Sequence, residues 1–281
     1  MGIVYVLMAA GLNLVWGVMK VINLAHGSFL MIGAYTAYWL FVWFGFDPLL
    51  SIPFVLPLTF GLGLIVWRVV VRRFQRMEYG GPAENAQFMA LYGLSYAVVS
   101  MTTYVWGASL VGIPVTYASL PFTLIGGIVV PFGWVIASSF SLAFTLGLLV
   151  LLYHTTFGKE VRATSQDVAE AELSGINTSR VAALTFGLGT CLAGIGGSLL
   201  PLVSPGISTQ IALPYTILTF AVIIIGGLGE PLGVIIGGII FGILQSVVSS
   251  LSPALTQIVG FLCVIIILYF KPRGLLPPKY R

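Results

Sequence analysis

The chain is an almost unbroken succession of long apolar stretches separated by short polar connections. Nine stretches stand out, at roughly 2 to 19, 21 to 44, 49 to 71, 88 to 105, 132 to 153, 181 to 200, 214 to 225, 234 to 251 and 254 to 270. Most approach the roughly 20 residues an α-helix needs to cross a bilayer. The seventh is too short to cross alone, yet it counts as a crossing, because irregular backbone at membrane depth is tolerated where protein buries it or it lines a cavity. The pattern predicts an all-α fold, a polytopic transmembrane helical bundle of about eight to ten spans, in a single domain over residues 1 to 281.

The connections give the bundle a direction. The 12 Lys and Arg residues are Lys20, then Arg68, Arg72, Arg73 and Arg76, then Lys159, Arg162 and Arg180, and finally Lys271, Arg273, Lys279 and Arg281. If the nine stretches alternate across the bilayer, all of these fall on one side. The opposite connections at 45 to 48, 106 to 131, 201 to 213 and 252 to 253 carry one charge, Asp47. The positive-inside rule then puts the C-terminus in the cytoplasm and the start of the chain outside a plasma or inner membrane. The first stretch has no basic region ahead of it and no small-residue cleavage site, so it reads as a retained helix rather than a signal peptide.

Composition agrees. With 58% hydrophobic residues, 7% charged and a mean hydropathy of +1.07 over 281 residues, the chain is no water-soluble domain, which would carry about a quarter charged residues. The net charge of +4 sits in the connections, so it speaks of membrane orientation and not of nucleic acid. Cys191 and Cys263 lie in apolar runs and read as small hydrophobes. Gly229, Gly233 and Gly237, and beside them Gly238, Gly242, Ser246 and Ser250, recur every four residues. They make two adjacent faces of one helix small enough for neighbours to approach closely.

Candidate chemistry is sparse. His26 and His154 are the two histidines, and there is no H-E-x-x-H, no pair of acids within a span and no phosphate-binding Gly-rich loop with its Lys. An enzyme, a metal site or a bound cofactor has little to stand on. Asp47 and Glu230 lie at connections, and Glu78, Glu84, Glu160, Asp167, Glu170 and Glu172 in loops on the basic side. Ion-coupled transporters carry ionisable groups within their spans; a site built from carbonyls keeps that reading open.

Two segments are more informative. In Val21 to Phe29, Asn23, His26, Gly27 and Ser28 follow one another near the start of the second apolar stretch. Either they bond a neighbouring helix, or Gly27 interrupts the helix so that freed amides and polar side chains line a translocation pathway. In the connection from His154 to Arg180, helix formers fill 159 to 173, Gly175 can supply a left-handed C-terminal residue, and Asn177, Thr178 or Ser179 can cap the next span. This predicts one short helix at the cytoplasmic surface. It is either a solvated loop or a docking element with a modest apolar stripe of Val161, Val168 and Ala171. Asn177-Thr178-Ser179 matches a glycosylation sequon on the wrong side of the membrane.

At these two segments the sequence resembles the permease subunits of ABC importers for branched-chain amino acids, a group that includes amide and urea importers. The matching residues run the length of the chain. They are Asn23-Leu24-Ala25-His26-Gly27 with Gly33-Ala34-Tyr35, then Gly158, Arg162-Ala163, Asp167, Ala171-x-x-x-Gly175-Ile176-Asn177 and Arg180-Val181-x-Ala183-Leu184-Thr185-Phe186, then Gly226-Gly227-Leu228-Gly229, Gly233 and Gly237-Gly238. The resemblance implies a channel of two permeases in lipid, driven by two cytosolic ATPase subunits and fed by an extracytoplasmic binding protein. It implies a coupling segment at about 157 to 177, with Gly158, Arg162, Asp167, Ala171, Gly175 and Ile176 meeting the ATPase. Glu172 stands where the better-known importer loop has a second Ala, which leaves the identity of that ATPase open. The connection holding Gly226, Gly227, Gly229, Glu230 and Gly233 is a gate, a hinge or a simple turn. The second permease is more readily a paralogue than a second copy. Branched-chain or other neutral amino acids fit as cargo, and an ion-coupled transporter or channel for urea or amides is the alternative. The stretch 106 to 131, with Trp106, Pro114, Tyr117 and Pro121, suits either a resting place for the binding protein or an interfacial aromatic belt.

Overall fold

The computed structural model describes residues 1 to 75, 82 to 123, 127, 129 to 204, 206 to 251, 256 to 271 and 274 to 276. Arg76, Glu78, Arg273, Lys279 and Arg281 lie outside the described residues, as does the side chain of Cys263. The spans are α1 (Gly2–Met19), α2 (His26–Phe44), α3 (Pro48–Val66), which continues through a π-helical turn, Trp67–Val71, into α4 (Arg72–Gln75), α5 (Pro82–Trp106) and α6 (Phe132–His154). Two short helices, α7 (Thr156–Gln166) and α8 (Val168–Leu173), lead to α9 (Thr178–Leu199), α10 (Ala212–Gly226), α11 (Pro231–Leu251) and α12 (Thr256–Phe270). Among the described residues the sheet is one antiparallel pair, β1 (Pro121–Thr123) and β2 (Val129–Pro131), with Phe122 opposite Val130.

Among the described residues eight helices are long and apolar enough to cross a membrane, and the fold is the all-α polytopic bundle the apolar pattern predicts. α12 adds 15 residues. The seventh stretch is longer than the sequence indicates, because a 3-10 turn at Thr209–Ile211 runs into α10 and the pair spans Thr209–Gly226, 18 residues. Polar Thr209 and Gln210 hid that first turn from an apolar count.

Two helix boundaries differ from expectation. The second apolar stretch becomes helical only at His26: Lys20 takes a left-handed conformation (φ 55°) and ends α1, and residues 20 to 25 are non-helical. Val21 and Ile22 continue the apolar run and so conceal the break. The single helix expected over 159 to 173 is two helices, because Asp167 is extended (φ −150°, ψ 122°) and its carboxylate accepts from the Glu170 N–H at 3.0 Å. The preference of Asp for capping a helix start outweighs the helix formers around it.

α1 and α9 form the centre, with 83% of each span buried within the chain. Small residues bring backbones together there, the gain in lipid being close van der Waals contact. Gly11 of α1 lies against Gly189 of α9, and Gly33 of α2 against Gly194. The two small-residue rows of α11 meet different neighbours: Gly233 and Gly237 face α10, while Gly238 and Gly242 face α1.

Candidate functional site

The polar cluster at the start of α2 lies inside the bundle. His26 and Asn23 are wholly buried, and the His26 ring bonds the Met8 carbonyl through Nε2 at 2.9 Å. That partner is an acceptor, so Nε2 carries the proton. Met8 is 11 residues from the last residue of α1, Met19, a climb of roughly 16 Å along its axis. α2 therefore starts at depth rather than at the surface. The Asn23 carboxamide oxygen accepts from the Ala25 N–H (3.1 Å), the Gly27 N–H donates to Thr216 Oγ1 (2.9 Å), and Ser28 and Ser95 share a hydroxyl bond (2.9 Å). One helical turn is thus tied to α1, α10 and α5. Gly27 does not interrupt the helix; the break precedes it, and a methyl on Gly27 would collide with the Ala212 carbonyl oxygen of α10. Asn23 Nδ2 and His26 Nδ1 are buried and have no hydrogen-bond partner among the described residues.

The coupling residues form a corner fixed to α6. Thr155 caps α7 by accepting from the Gly158 N–H at 3.0 Å. The Arg162 guanidinium donates to the Leu152 carbonyl and lies over the Tyr153 ring, 5.6 Å from its centroid. Gly158 is buried where any side chain would strike the end of α6. Beyond Asp167, Ala171 points inward (3% exposed) while Leu173 points out (90% exposed). The expected stripe of Val161, Val168 and Ala171 is therefore split. Val161 and Ala171 are core, and Val168 with Leu173 is the free apolar surface. Leu173 lies two residues from Ala171, on the opposite face of the turn. Gly175 has open space around it and φ +82°, and Ile176 N–H closes the helix end on the Ala171 carbonyl at 3.0 Å. Asn177 caps α9, accepting from the Arg180 N–H at 3.0 Å.

The connection between α10 and α11 is clamped. Gly226 and Gly233 meet backbone to backbone. Gly229, at φ +85°, donates its N–H to Asn13 Oδ1 at 2.7 Å, and the Glu230 N–H reaches the Gly227 carbonyl. The N–H groups of Leu275 and Leu276 donate to the carbonyls of Ile225 (2.9 Å) and Gly226 (3.0 Å). Asn13, 2% exposed, escaped the sequence reading, although a lone Asn inside an apolar helix is itself a signal of a partner. The three groups of residues share α1: His26 bonds it at Met8, Gly229 at Asn13, and α7 packs against it.

At the other end of the bundle a cleft of about 230 Å³ is lined by Phe41, Asp47, Ile113 and Tyr117 among others. The Tyr117 hydroxyl donates to Asp47 at 2.7 Å. Burial, and then this bond to Asp47, push its pKa above the usual phenol range. A further feature went unread in the sequence. α5 is 17% buried, and Tyr92, Tyr96, Ser100 and Tyr104, one every four residues, lie exposed along it. Among the described residues no three His, Cys, Asp or Glu side chains converge as metal ligands would.

Among the described residues, a bundle of eight membrane-length helices, with a hydrogen-bonded helix start inside it and a fixed corner outside it, has the architecture of a multi-pass membrane protein. Residues 1–268 match the family model for the permease component of branched-chain amino acid transport systems, and the chain belongs to that family. It is 25% identical to the high-affinity branched-chain amino acid transport system permease protein BraD of Pseudomonas aeruginosa, over 98% of this chain and 92% of that one. A probable branched-chain amino acid transport permease protein LivH of Methanocaldococcus jannaschii is 31% identical, over 87% of this chain and 76% of the relative. LivM of Salmonella typhimurium, also a high-affinity branched-chain amino acid permease protein, is 20% identical over 99% of this chain and 68% of its own length. No solved structure matches the chain at a significant level.

Proposed function

We propose that this chain is one of two permeases that together form the pathway of an ATP-driven importer for branched-chain or similar neutral amino acids. The observation that carries the reading is the corner of α7 and α8. It is locked to α6 through Gly158 and Arg162, so a push on the exposed Val168 and Leu173 moves the bundle as a rigid body. Two cytosolic ATPase subunits supply that push, through a surface holding Asp167, Gly175 and Ile176. The inward Ala171 shapes this surface from behind. The basic end of the bundle faces the cytoplasm, and the C-terminus lies there. The relatives include both LivH and LivM proteins, which favours a paralogous second permease. An extracytoplasmic binding protein rests on the stretch around Tyr117.

In this reading Asn23, His26, Gly27 and Ser28 fix the depth at which the pathway narrows, and the hydroxyl row on α5 lines it. A span with this many hydroxyls and so little burial is better matched to water or a partner than to lipid. Residues Gly226, Gly227, Gly229, Glu230 and Gly233 form the gate, held shut by Asn13 and the segment 274 to 276. The test is Gly175→Val in the complete importer reconstituted in vesicles. A β-branched residue at φ +82° costs about 1–2 kcal/mol locally, in a place where nothing is crowded. Folded yield should hold while ATP-driven leucine uptake falls at least about tenfold. Unchanged uptake would remove the docking role.

A further inference from the structure

Away from the basic end, α2 and α5 close over a group of aromatic rings. Tyr35 stacks on Trp106, with centroids 5.0 Å apart and planes 9° from parallel. Trp39 lies 6.1 Å from the same Trp106 ring, and Tyr38 5.4 Å from Trp39. Tyr35 and Trp39 are one turn apart on one face of α2. Inside this group the Tyr35 hydroxyl and Trp39 Nε1 are both buried, and among the described residues neither has a hydrogen-bond partner. Buried Tyr and Trp side chains almost always bond through their polar ends. Two unpaired donors under one lid are therefore an unmet demand for an acceptor.

An interfacial aromatic belt does not account for them. Belt residues face outward to the headgroups, as Trp43 does at 68% exposure, whereas Tyr35 is 1% exposed within its own chain. The lid is Trp106, the last residue of α5, partly open to the outside and followed by Gly107 at φ +82°. One turn earlier on α5, Thr103 Oγ1 donates to Thr209 Oγ1 at 2.8 Å.

We propose that this cluster receives an α-amino acid on its way into the pathway: its carboxylate accepts from the Tyr35 hydroxyl and Trp39 Nε1 once the Trp106 ring swings aside, and its ammonium rests against a ring face. A carboxylate has two oxygens and no donor, so it satisfies both groups at once. Cation–π attraction holds the ammonium, and the surrounding rings contact an apolar side chain. The proposal rests on the importer reading and adds to it a place and a mode of recognition.

The test uses the assembled permeases and ATPases without the binding protein, so that ligand meets the cluster directly. The probe is a diazirine analogue of leucine, activated by light, with adducts mapped by mass spectrometry. Adducts are expected in residues 35 to 39 or 103 to 106, reduced by excess leucine and not by leucinamide, which lacks the carboxylate. Tyr35→Phe keeps the ring stack and removes the hydroxyl, and it should cut adduct yield about tenfold, the worth of one hydrogen bond to a charged group. Tyr269→Phe, exposed on α12, should leave it unchanged. Adducts confined to other segments, no adducts at all, insensitivity to Tyr35→Phe, or equal competition by leucinamide would each overturn the site. ATP-driven leucine uptake by the complete importer is scored separately. Its absence would sink the importer reading, whereas uptake with adducts elsewhere would sink only this cluster.

Discussion

α1 and α5 look alike as apolar segments, and the bundle uses them in opposite ways. α1 is 83% buried and touches the start of α2, the corner at α7 and the connection between α10 and α11, while α5 is 17% buried and turns a row of hydroxyls outward. Hydropathy alone cannot separate the two, since lipid and protein interior are equally apolar. What separates them is the arrangement of their few polar residues. Asn13 stands alone in α1 and is buried against a backbone N–H of a distant turn. On α5, Tyr92, Tyr96, Ser100 and Tyr104 repeat at the helical period, which marks a face rather than a contact.

Glycine substitution gives the largest expected contrast. A methyl on Gly11 of α1 would sit 2.5 Å from the Gly189 carbonyl oxygen of α9, whereas Gly93 of α5 has nothing within 4 Å. Gly11→Leu should therefore cost about 3 kcal/mol or more and abolish folded protein. Gly93→Leu should leave the yield and melting temperature of the detergent-solubilised chain unchanged. Equal losses in the two variants would show that the contrast in burial does not describe the bundle.

Asn13→Leu comes next. It leaves the Gly229 N–H without its acceptor, at a cost of about 1–3 kcal/mol, and it releases one side of the clamp on the connection between α10 and α11. Melting temperature should fall, and ATP hydrolysis by the complete importer should run faster without a matching rise in uptake. A lower melting temperature with coupling intact would make Asn13 a packing residue and nothing more. His26→Leu removes the other polar bond to α1. Its stability cost should be about 1 kcal/mol, because the Met8 carbonyl keeps its place in the helix. Uptake should fall further than folded yield; parallel losses would assign His26 to structure alone.

The reach of the sequence differs between these features for physical reasons. Bilayer thickness imposes a length on every span, so the apolar stretches were legible. The helix end at Gly175 and the cap at Asn177 were legible too, because each is a local preference of one residue type. Depth was not. Val21 and Ile22 are as apolar as a helix would be, so nothing in composition reveals that α2 starts opposite Met8. The inward turn of Ala171 and the exposure of Leu173 follow from the bend at Asp167, and a helix drawn straight through 159 to 173 puts the wrong side chains on the surface.

The smallest energetic effect tests the outward face of α5. Tyr96 is 63% exposed in the single chain, its ring 5.8 Å from that of Tyr92, and Leu146 of α6 is 48% exposed. Replacing either should change stability by less than about 0.5 kcal/mol, so their difference has to be read by accessibility. In a chain whose own two cysteines are replaced by alanine, Tyr96→Cys in the assembled importer should react with a water-soluble maleimide. Leu146→Cys, facing lipid where the thiol stays protonated and no reagent reaches it, should not. Labelling at Tyr96 that rises or falls as ATP is added would tie the hydroxyl row to a pathway that opens and closes. Equal reactivity at the two positions would return α5 to the ranks of ordinary lipid-facing helices and leave the pathway to be found elsewhere.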